Sequence, residues 1–183
     1  MPLRTNRSIV GRRGQRGNAL IFTLLAFVIG AIVIAVGIEQ YQQSERASSI
    51  QSVVAEVSSI IGNAKANDGQ LSYVGLTTSI AVGGGTIPRN RATSSSTAAN
   101  KFSGVITLVD NNGATTGTAN LSYANVPSDQ CKEIVMGTQA LAREVQVGGN
   151  DVKPLDGFVN PAGLNTQCLS ANMVTISWII GRA

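Results

Sequence analysis

Histidine is absent from this 183-residue sequence, so the side chain that most often serves as a general base or metal ligand is missing. Charged residues make up only 13% of the chain and aromatic residues only 4%. The ten acidic residues form no DxD or ExxE pair, and the serines lack the G-x-S-x-G frame of an acyl-transfer nucleophile. These absences argue against an enzyme, and we expect no catalytic residue, no cofactor and no metal.

Positive charge is scarce outside the N-terminus. Five of the 14 Lys and Arg residues are arginines within the first 17 positions, where no acidic residue occurs. Without these five, nine cations oppose ten acids, so the formal net charge of +4 describes the N-terminus and not a basic face. We therefore expect no nucleic-acid binding by the remainder of the chain.

The chain has only two cysteines, Cys131 and Cys168. An even pair behind an export-type N-terminus predicts one disulfide, with two free buried thiols as the alternative. Because two sulfurs without histidine are a poor ligand set, the pair does not predict a metal site.

Proline is absent between Pro2 and Pro88, which permits a long uninterrupted helix. Residues 18–38 form an uncharged run of 21 residues, which as a helix is roughly 31 Å long and can cross a bilayer. The run is too long for an ordinary signal peptide, and no Ala-x-Ala cleavage site follows it. The arginines before it predict that the N-terminus lies in the cytoplasm.

Apolar residues recur with helical spacing after this run. The spacing predicts one helix over residues 18–66, apolar on all sides in its first half and amphipathic in its second half. The residues of the amphipathic stripe are Ile50, Val53, Val54, Val57, Ile60 and Ile61.

A short basic leader that ends in Gly17 and is followed at once by a continuous apolar helix resembles the N-terminus of a type IV prepilin. Later segments are similar, in sequence and in order, to type IVb pilins of the PilS type, a group that includes thin-pilus pilins of conjugative plasmids. These segments are LSYVGLTTSIAVGGGTIPRN, FSGVITLV, LSYANVPSDQCKEIV and NMVTISW. The resemblance covers nearly the whole chain.

The resemblance implies that a prepilin peptidase cuts between Gly17 and Asn18, which removes residues 1–17 and keeps the apolar helix. It implies an α+β type IV pilin fold, in which a long N-terminal helix packs against an antiparallel β-sheet within a disulfide-bonded globular domain over residues 67–183. The apolar half of the helix would form the core of a filament. The residues expected there are Leu20, Phe22, Leu24, Leu25, Phe27, Ile29, Ile32 and Ile34.

The implied function is that of a structural subunit of an extracellular type IVb pilus used for conjugation or adhesion. The implied partners are other copies of the chain, the prepilin peptidase, the inner-membrane assembly platform and its motor, and the membrane itself before assembly.

Two alternatives remain open. Pilins of this family usually carry a glutamate at the fifth position of the processed chain, where this sequence has Phe22. That departure favours a minor or tip pilin, or a pseudopilin of a secretion or conjugation system. The other alternative is a membrane-anchored extracytoplasmic binding domain with a single span that never polymerises.

The remaining sequence predicts local elements of the globular domain. Residues 104–109 predict a strand, residues 118–123 its partner, and residues 173–180 a last strand. A helix is expected from Ser128 or Asp129, either of which can cap it, to about Val147. Trp178 is expected in the core or, alternatively, in an exposed contact. The pair Arg89 and Arg91 is interpreted as a solvated loop, with a subunit contact as the alternative.

Overall fold

The computed structural model describes residues 16–68, 72–111 and 117–181, with residues 16–19 and 39 described as helix backbone only. The chain divides into two compact units, Met1–Glu45 and Arg46–Ala183. We call the second of these the head unit. The first helix, α1 (Arg16–Asn67), contributes residues to both units.

Six strands and three further α-helices follow α1 in the described part of the chain. The helices are α2 (Thr78–Gly83), α3 (Ser128–Thr138) and α4 (Pro161–Cys168). The strands are β1 (Ala98–Ala99), β2 (Val105–Asp110), β3 (Thr118–Pro127), β4 (Glu144–Val147), β5 (Asn150–Lys153) and β6 (Met173–Gly181). Short 3₁₀ turns occupy Arg89–Arg91 and Gln139–Leu141.

The strands form one antiparallel sheet in the order β1-β2-β3-β6-β4-β5. The last strand in sequence therefore lies between β3 and β4. Irregular chain forms a backbone hydrogen bond at each edge of the sheet. On one side, the Asp110 N–H donates to the Leu76 carbonyl at 2.9 Å, and on the other the Asn160 N–H donates to the Val152 carbonyl at 2.8 Å.

The core lies between the sheet and the amphipathic half of α1. Val53, Val57 and Ile60 of the predicted stripe are fully buried against it. Trp178 of β6 is also fully buried, with its indole N–H donating to the Thr138 hydroxyl at 2.9 Å. Burial of the tryptophan confirms the core interpretation, and the hydrogen bond satisfies the polar group that burial would otherwise penalise.

The Cys131–Cys168 disulfide is present and joins α3 to α4. The two Cα atoms lie 5.7 Å apart, and 37 positions separate the residues in sequence. A loop of this length stabilises the folded chain by about 4 kcal/mol in the chain-entropy account. The predicted disulfide and the predicted fold class are thus both confirmed.

The predicted helix from residue 128 to residue 147 is wrong beyond its first eleven residues. Helix α3 ends at Thr138, and residues 144–147 form β4. Val145 and Val147 are buried while Gln146 points to the other face, and β4 pairs with the central strand β6. Cross-strand pairing therefore overrode a pattern that also fitted a helix. The expected side-chain cap is absent too, since α3 begins after Pro127 without one.

Gly104 is a position where the fold requires glycine. A Cβ atom there would lie 1.9 Å from the Ala124 carbonyl oxygen, which is fixed in strand β3. The Asn100 side chain holds the same turn, because its Oδ1 accepts from the Gly104 N–H at 2.9 Å and its Nδ2 donates to the Ala124 carbonyl at 2.7 Å.

We expect Gly104→Ala to lower the free energy of unfolding by about 2–3 kcal/mol, because backbone must move to admit the methyl group. Thermal unfolding of the full chain in detergent, followed by circular dichroism, measures the change. Gly62→Ala is the matched control. Its Cβ meets nothing within 4 Å, so helix propensity predicts a gain of about 0.5–1 kcal/mol. Equal stability of the two variants would contradict the assignment.

Candidate assembly surface

The apolar half of α1 exposes its large side chains. The eight residues predicted for the filament core are between 53% and 76% exposed. Successive residues of an α-helix are about 100° apart, so positions spaced as these are cover every side of the helix. A helix with this all-round composition requires an apolar environment on all sides. By length and composition, α1 can cross a membrane, a test that a secretory signal also passes.

The predicted cleavage position lies in the first turn of α1. Gly17 and Asn18 belong to this helix as backbone, while residues 1–15 of the predicted leader lie outside the described residues. The Phe22 side chain is exposed, and no acidic residue occurs in the first turn of α1. The Thr23 hydroxyl donates a hydrogen bond to the Leu20 carbonyl, about one helical turn earlier, at 3.2 Å.

A buried polar cluster fixes the amphipathic half of α1 inside the head unit. Glu56 projects from α1, and its two carboxylate oxygens have different partners. One oxygen accepts from the Tyr123 hydroxyl at 2.7 Å, and the other lies 2.6 Å from the Arg91 guanidinium. Because the Glu56 side chain is only 9% exposed, removal of either partner leaves a charge with reduced compensation away from water.

Burial raises the pKa of the Tyr123 phenol far above its ordinary range. The hydrogen bond to Glu56 and the charge of that carboxylate raise this pKa further, and the charge of Arg91 opposes them. The cluster therefore keeps the Tyr123 phenol neutral, as a hydrogen-bond donor from the sheet to α1. The three residues join α1, the turn at residues 89–91 and strand β3.

A second, exposed contact holds α3 beside α1. Arg46 lies 3.5 Å from the carboxylates of both Asp129 and Glu133 and also donates to the Asp129 carbonyl oxygen. Exposed pairs of this kind contribute only about 0–1 kcal/mol each. Further along, Gly137 of α3 leaves room for Val54, whose methyl group would lie 2.9 Å from an added Cβ.

Arg91 was missed as a structural residue by sequence reasoning. The interpretation as a solvated loop is wrong for Arg91, which is held by Glu56 within the head unit, while a subunit contact stays a prediction. Arg89 is exposed. A signal for the cluster was present, because Glu56 sits among the apolar positions Val53, Val57 and Ile60 on the buried side of the helix. An acid in that position requires a partner.

Within residues 16–68, 72–111 and 117–181, no group of three or more Cys, Asp or Glu side chains is placed to hold a metal ion. The described acids take part instead in ion pairs and hydrogen bonds within the protein, as for Arg143 with Asp156 at 2.5 Å.

The long helix, the antiparallel sheet and the disulfide together define a type IV pilin fold. The crystal structure of type IV b pilin from Salmonella typhi is similar, with a TM-score of 0.53 and 18% identity over 75% of this chain and 99% of that one. The structure of TcpA, a type IV pilin from Vibrio cholerae El Tor biotype, gives a TM-score of 0.45 and 10% identity over 70% of this chain and 98% of that one. No curated protein matches the sequence.

The family model described as PilS N terminal matches residues 47–181. The chain belongs to this family, and it is a pilin subunit. The match lies within the head unit and ends with β6, so it does not include the apolar half of α1. Family and fold are those of structural proteins.

The Tyr123–Glu56 contact predicts how stability depends on pH. A phenol whose pKa is higher in the folded chain than in the unfolded chain contributes stability that is fully present below the unfolded pKa. That stability is lost as the pH rises above about 10, by about 1.4 kcal/mol per pH unit for each such group. Tyr73, whose pKa burial also raises, contributes in the same direction.

We expect Tyr123→Phe to lower stability at pH 7 by about 1–3 kcal/mol, since Glu56 loses a hydrogen bond. The variant should also show a shallower loss of stability above pH 10 than the original chain, because the phenol of residue 123 is gone. Urea unfolding of the full chain between pH 7 and 11 measures both effects. Equal slopes in the alkaline range would show that Tyr123 is not held as described.

Proposed function

We propose that the chain polymerises through the apolar half of α1 into a type IVb pilus that makes contact between cells. The observation that supports this function is the full circumference of exposed apolar side chains over residues 20–38. Such a surface is stable only in lipid or against other apolar helices. A pilin subunit requires both environments in succession, first the inner membrane and then the filament core.

Leader removal makes the exchange possible. Residues 1–17 carry five arginines, and arginine inside an apolar bundle is costly. A prepilin peptidase that cuts after Gly17 leaves a chain of 166 of the 183 residues beginning at Asn18. The new terminus then contributes a single amine to the end of an uncharged helix.

Assembly replaces lipid contacts of the helix with contacts to like helices. Because lipid tails are about as apolar as leucine, this exchange is close to neutral per contact, and shape and number of contacts decide it. An added Cβ at Gly30 or Gly37 meets nothing within 4 Å in the single chain, so both positions can admit a neighbour closely. A repeated contact between two different surfaces continues without closing, which produces a filament.

The remaining partners follow from this cycle. An inner-membrane assembly platform and its motor lift each subunit from the bilayer, and the head units form the outer surface of an extracellular pilus. There they contact a recipient cell in conjugation or a host surface in adhesion.

Phe22 supports a second candidate, a minor or tip pilin or a pseudopilin that starts or ends the filament. At the fifth position of the processed chain, a glutamate would pair with the amine of a neighbouring subunit, and a phenylalanine has no such group. A subunit at the filament end has fewer neighbours and less need of the pair. Abundance in sheared surface material separates the two, since a major subunit predominates there and a tip subunit is rare.

Leader cleavage distinguishes both pilin functions from a non-polymerising membrane anchor. We expect mass spectrometry of the chain recovered from the cell envelope to show an N-terminus at Asn18. Gly17→Val is the matched variant, because the peptidase cuts after glycine in prepilins and the change should leave residues 1–17 attached. An intact N-terminus in the original chain would contradict the pilin assembly cycle.

Charge placed in the apolar helix should stop polymerisation. We expect Ile32→Asp to reduce sheared pili below detection, because a carboxylate buried among apolar helices costs several kcal/mol. Ile32→Leu, which keeps the volume and polarity, should assemble normally. Electron microscopy and immunoblotting of sheared material measure the result, and normal pili from Ile32→Asp would remove this helix from the filament core.

A further inference from the structure

Phe158 is the most exposed large apolar side chain of the head unit. It is 94% exposed, whereas Leu169, the next in rank among the described residues of this unit, is 65% exposed. The chain has only four phenylalanines. A ring of this size in water gains substantially from burial, so its position indicates a contact that a single chain does not make.

The backbone that carries Phe158 is fixed on both sides. Before it, the Asp156 carboxylate accepts two hydrogen bonds from the Arg143 guanidinium, at 3.0 and 2.5 Å, and the Asp156 N–H donates to the Arg143 carbonyl at 2.9 Å. After it, the Asn160 N–H donates to Val152 of β5 at 2.8 Å. A partner that receives the ring therefore pays little entropy to order the segment.

An apolar pocket of matching size lies elsewhere on the head unit. Its volume is about 150 Å³, and an aliphatic cavity of that size accepts a benzene ring. Ile80 and Val74 stand at this pocket with more than half of each side chain exposed. The residues lining the pocket are Asp68, Tyr73, Val74, Gly75, Leu76 and Ile80.

The ring and the pocket lie beside opposite edges of the sheet. The pocket borders β2, since the Leu76 carbonyl accepts from Asp110 and the Gly75 N–H donates to the Asp110 carboxylate at 3.1 Å. Phe158 borders β5 through the Asn160–Val152 hydrogen bond. In the order β2-β3-β6-β4-β5 these strands are four spacings apart, which is roughly 19 Å. The ring therefore does not reach the pocket of its own chain.

We propose that Phe158 of one subunit inserts into the pocket at Ile80 of the neighbouring subunit. This inference rests on the proposed function and identifies a head-to-head contact within the filament. Because the ring and the pocket are different surfaces, a pair of subunits still has one free pocket, on the subunit that donated its ring, and one free ring, on the subunit that received it. The contact is heterologous and continues along the filament, in the same sense as the packing of the apolar helices.

The first test removes the ring. We expect Phe158→Ala to weaken the contact roughly tenfold to a hundredfold, which is measured as the loss of intact filaments with rising temperature or detergent. Leu169→Ala is the matched control, because it truncates another exposed apolar side chain of the head unit. The melting temperature of the isolated subunit should be the same for both variants, since neither side chain is part of the core.

The second test joins the two surfaces covalently. In a strain that carries the assembly machinery, the full chain with Phe158→Cys and Ile80→Cys should form a ladder of cross-linked oligomers after mild oxidation. The control pair, Met173→Cys with Ile80→Cys, should form none; Met173 is also exposed and is not adjacent to the cysteines of the native disulfide. Non-reducing electrophoresis of the sheared surface fraction and of the membrane fraction gives the result.

Each outcome decides the inference separately from the proposed function. A ladder from the Phe158 pair alone supports the contact. Filaments without a ladder overturn the contact and leave polymerisation intact. Normal filament stability of Phe158→Ala also overturns the contact. If that variant loses only its binding to cells, the ring is assigned to an external receptor. If the original chain forms no filaments, the proposed polymerisation is wrong. Cross-linked dimers of the Phe158→Cys, Ile80→Cys chain in the membrane fraction would then still support the contact, and their absence would overturn it.

Discussion

Over residues 20–38 of α1, every side chain is exposed in the single chain, and only Gly30 and Gly37 carry none. In water, these exposed side chains raise the free energy of the chain by about 25 cal/mol for each Å² of apolar surface. The helix satisfies its own backbone hydrogen bonds, so lipid and a bundle of like helices are equally acceptable surroundings. One property of this segment therefore suits it to both surroundings.

Within the head unit, α1 packs against the sheet. Over residues 46–67 only one side of α1 is apolar, and the sheet covers that side. Glu56 adds direction to this packing, because its carboxylate is satisfied only when Tyr123 of β3 and Arg91 are in place. A buried ion cluster contributes less to stability than to specificity of arrangement. Here it defines the rotation of the helix against the sheet.

The elements that sequence reasoning predicted well are those with a long, consistent period. In the stripe from Ile50 to Ile61 the large apolar residues fall on one side of the helix. In the last strand, the alternate residues Val174, Ile176, Trp178 and Ile180 are buried, whereas Met173 on the other side is exposed. The prolonged helix was an error because Ile134, Leu141 and Val145 also fit a helical period. The two glycines that follow β4, Gly148 and Gly149, both have positive φ and mark the hairpin turn that should have limited that helix.

Contacts between residues distant in sequence could not be predicted in the same way. Arg91 and Glu56 are 35 positions apart, and nothing near either residue specifies the other. The exposure of Phe158 likewise depends on the complete fold, because the neighbouring sequence does not determine which apolar residue is left outside the core. The cysteine pair was predictable only because two cysteines allow a single pairing.

The central place of β6 has a consequence for the order of folding. This strand follows all others in sequence, yet it separates β3 from β4. Until it has been delivered, the chain holds two unconnected fragments of sheet, and Trp178 is missing from the interior. Pairings of such long range form slowly. The complete sheet, with Trp178 in its interior, therefore forms only after this strand has joined it.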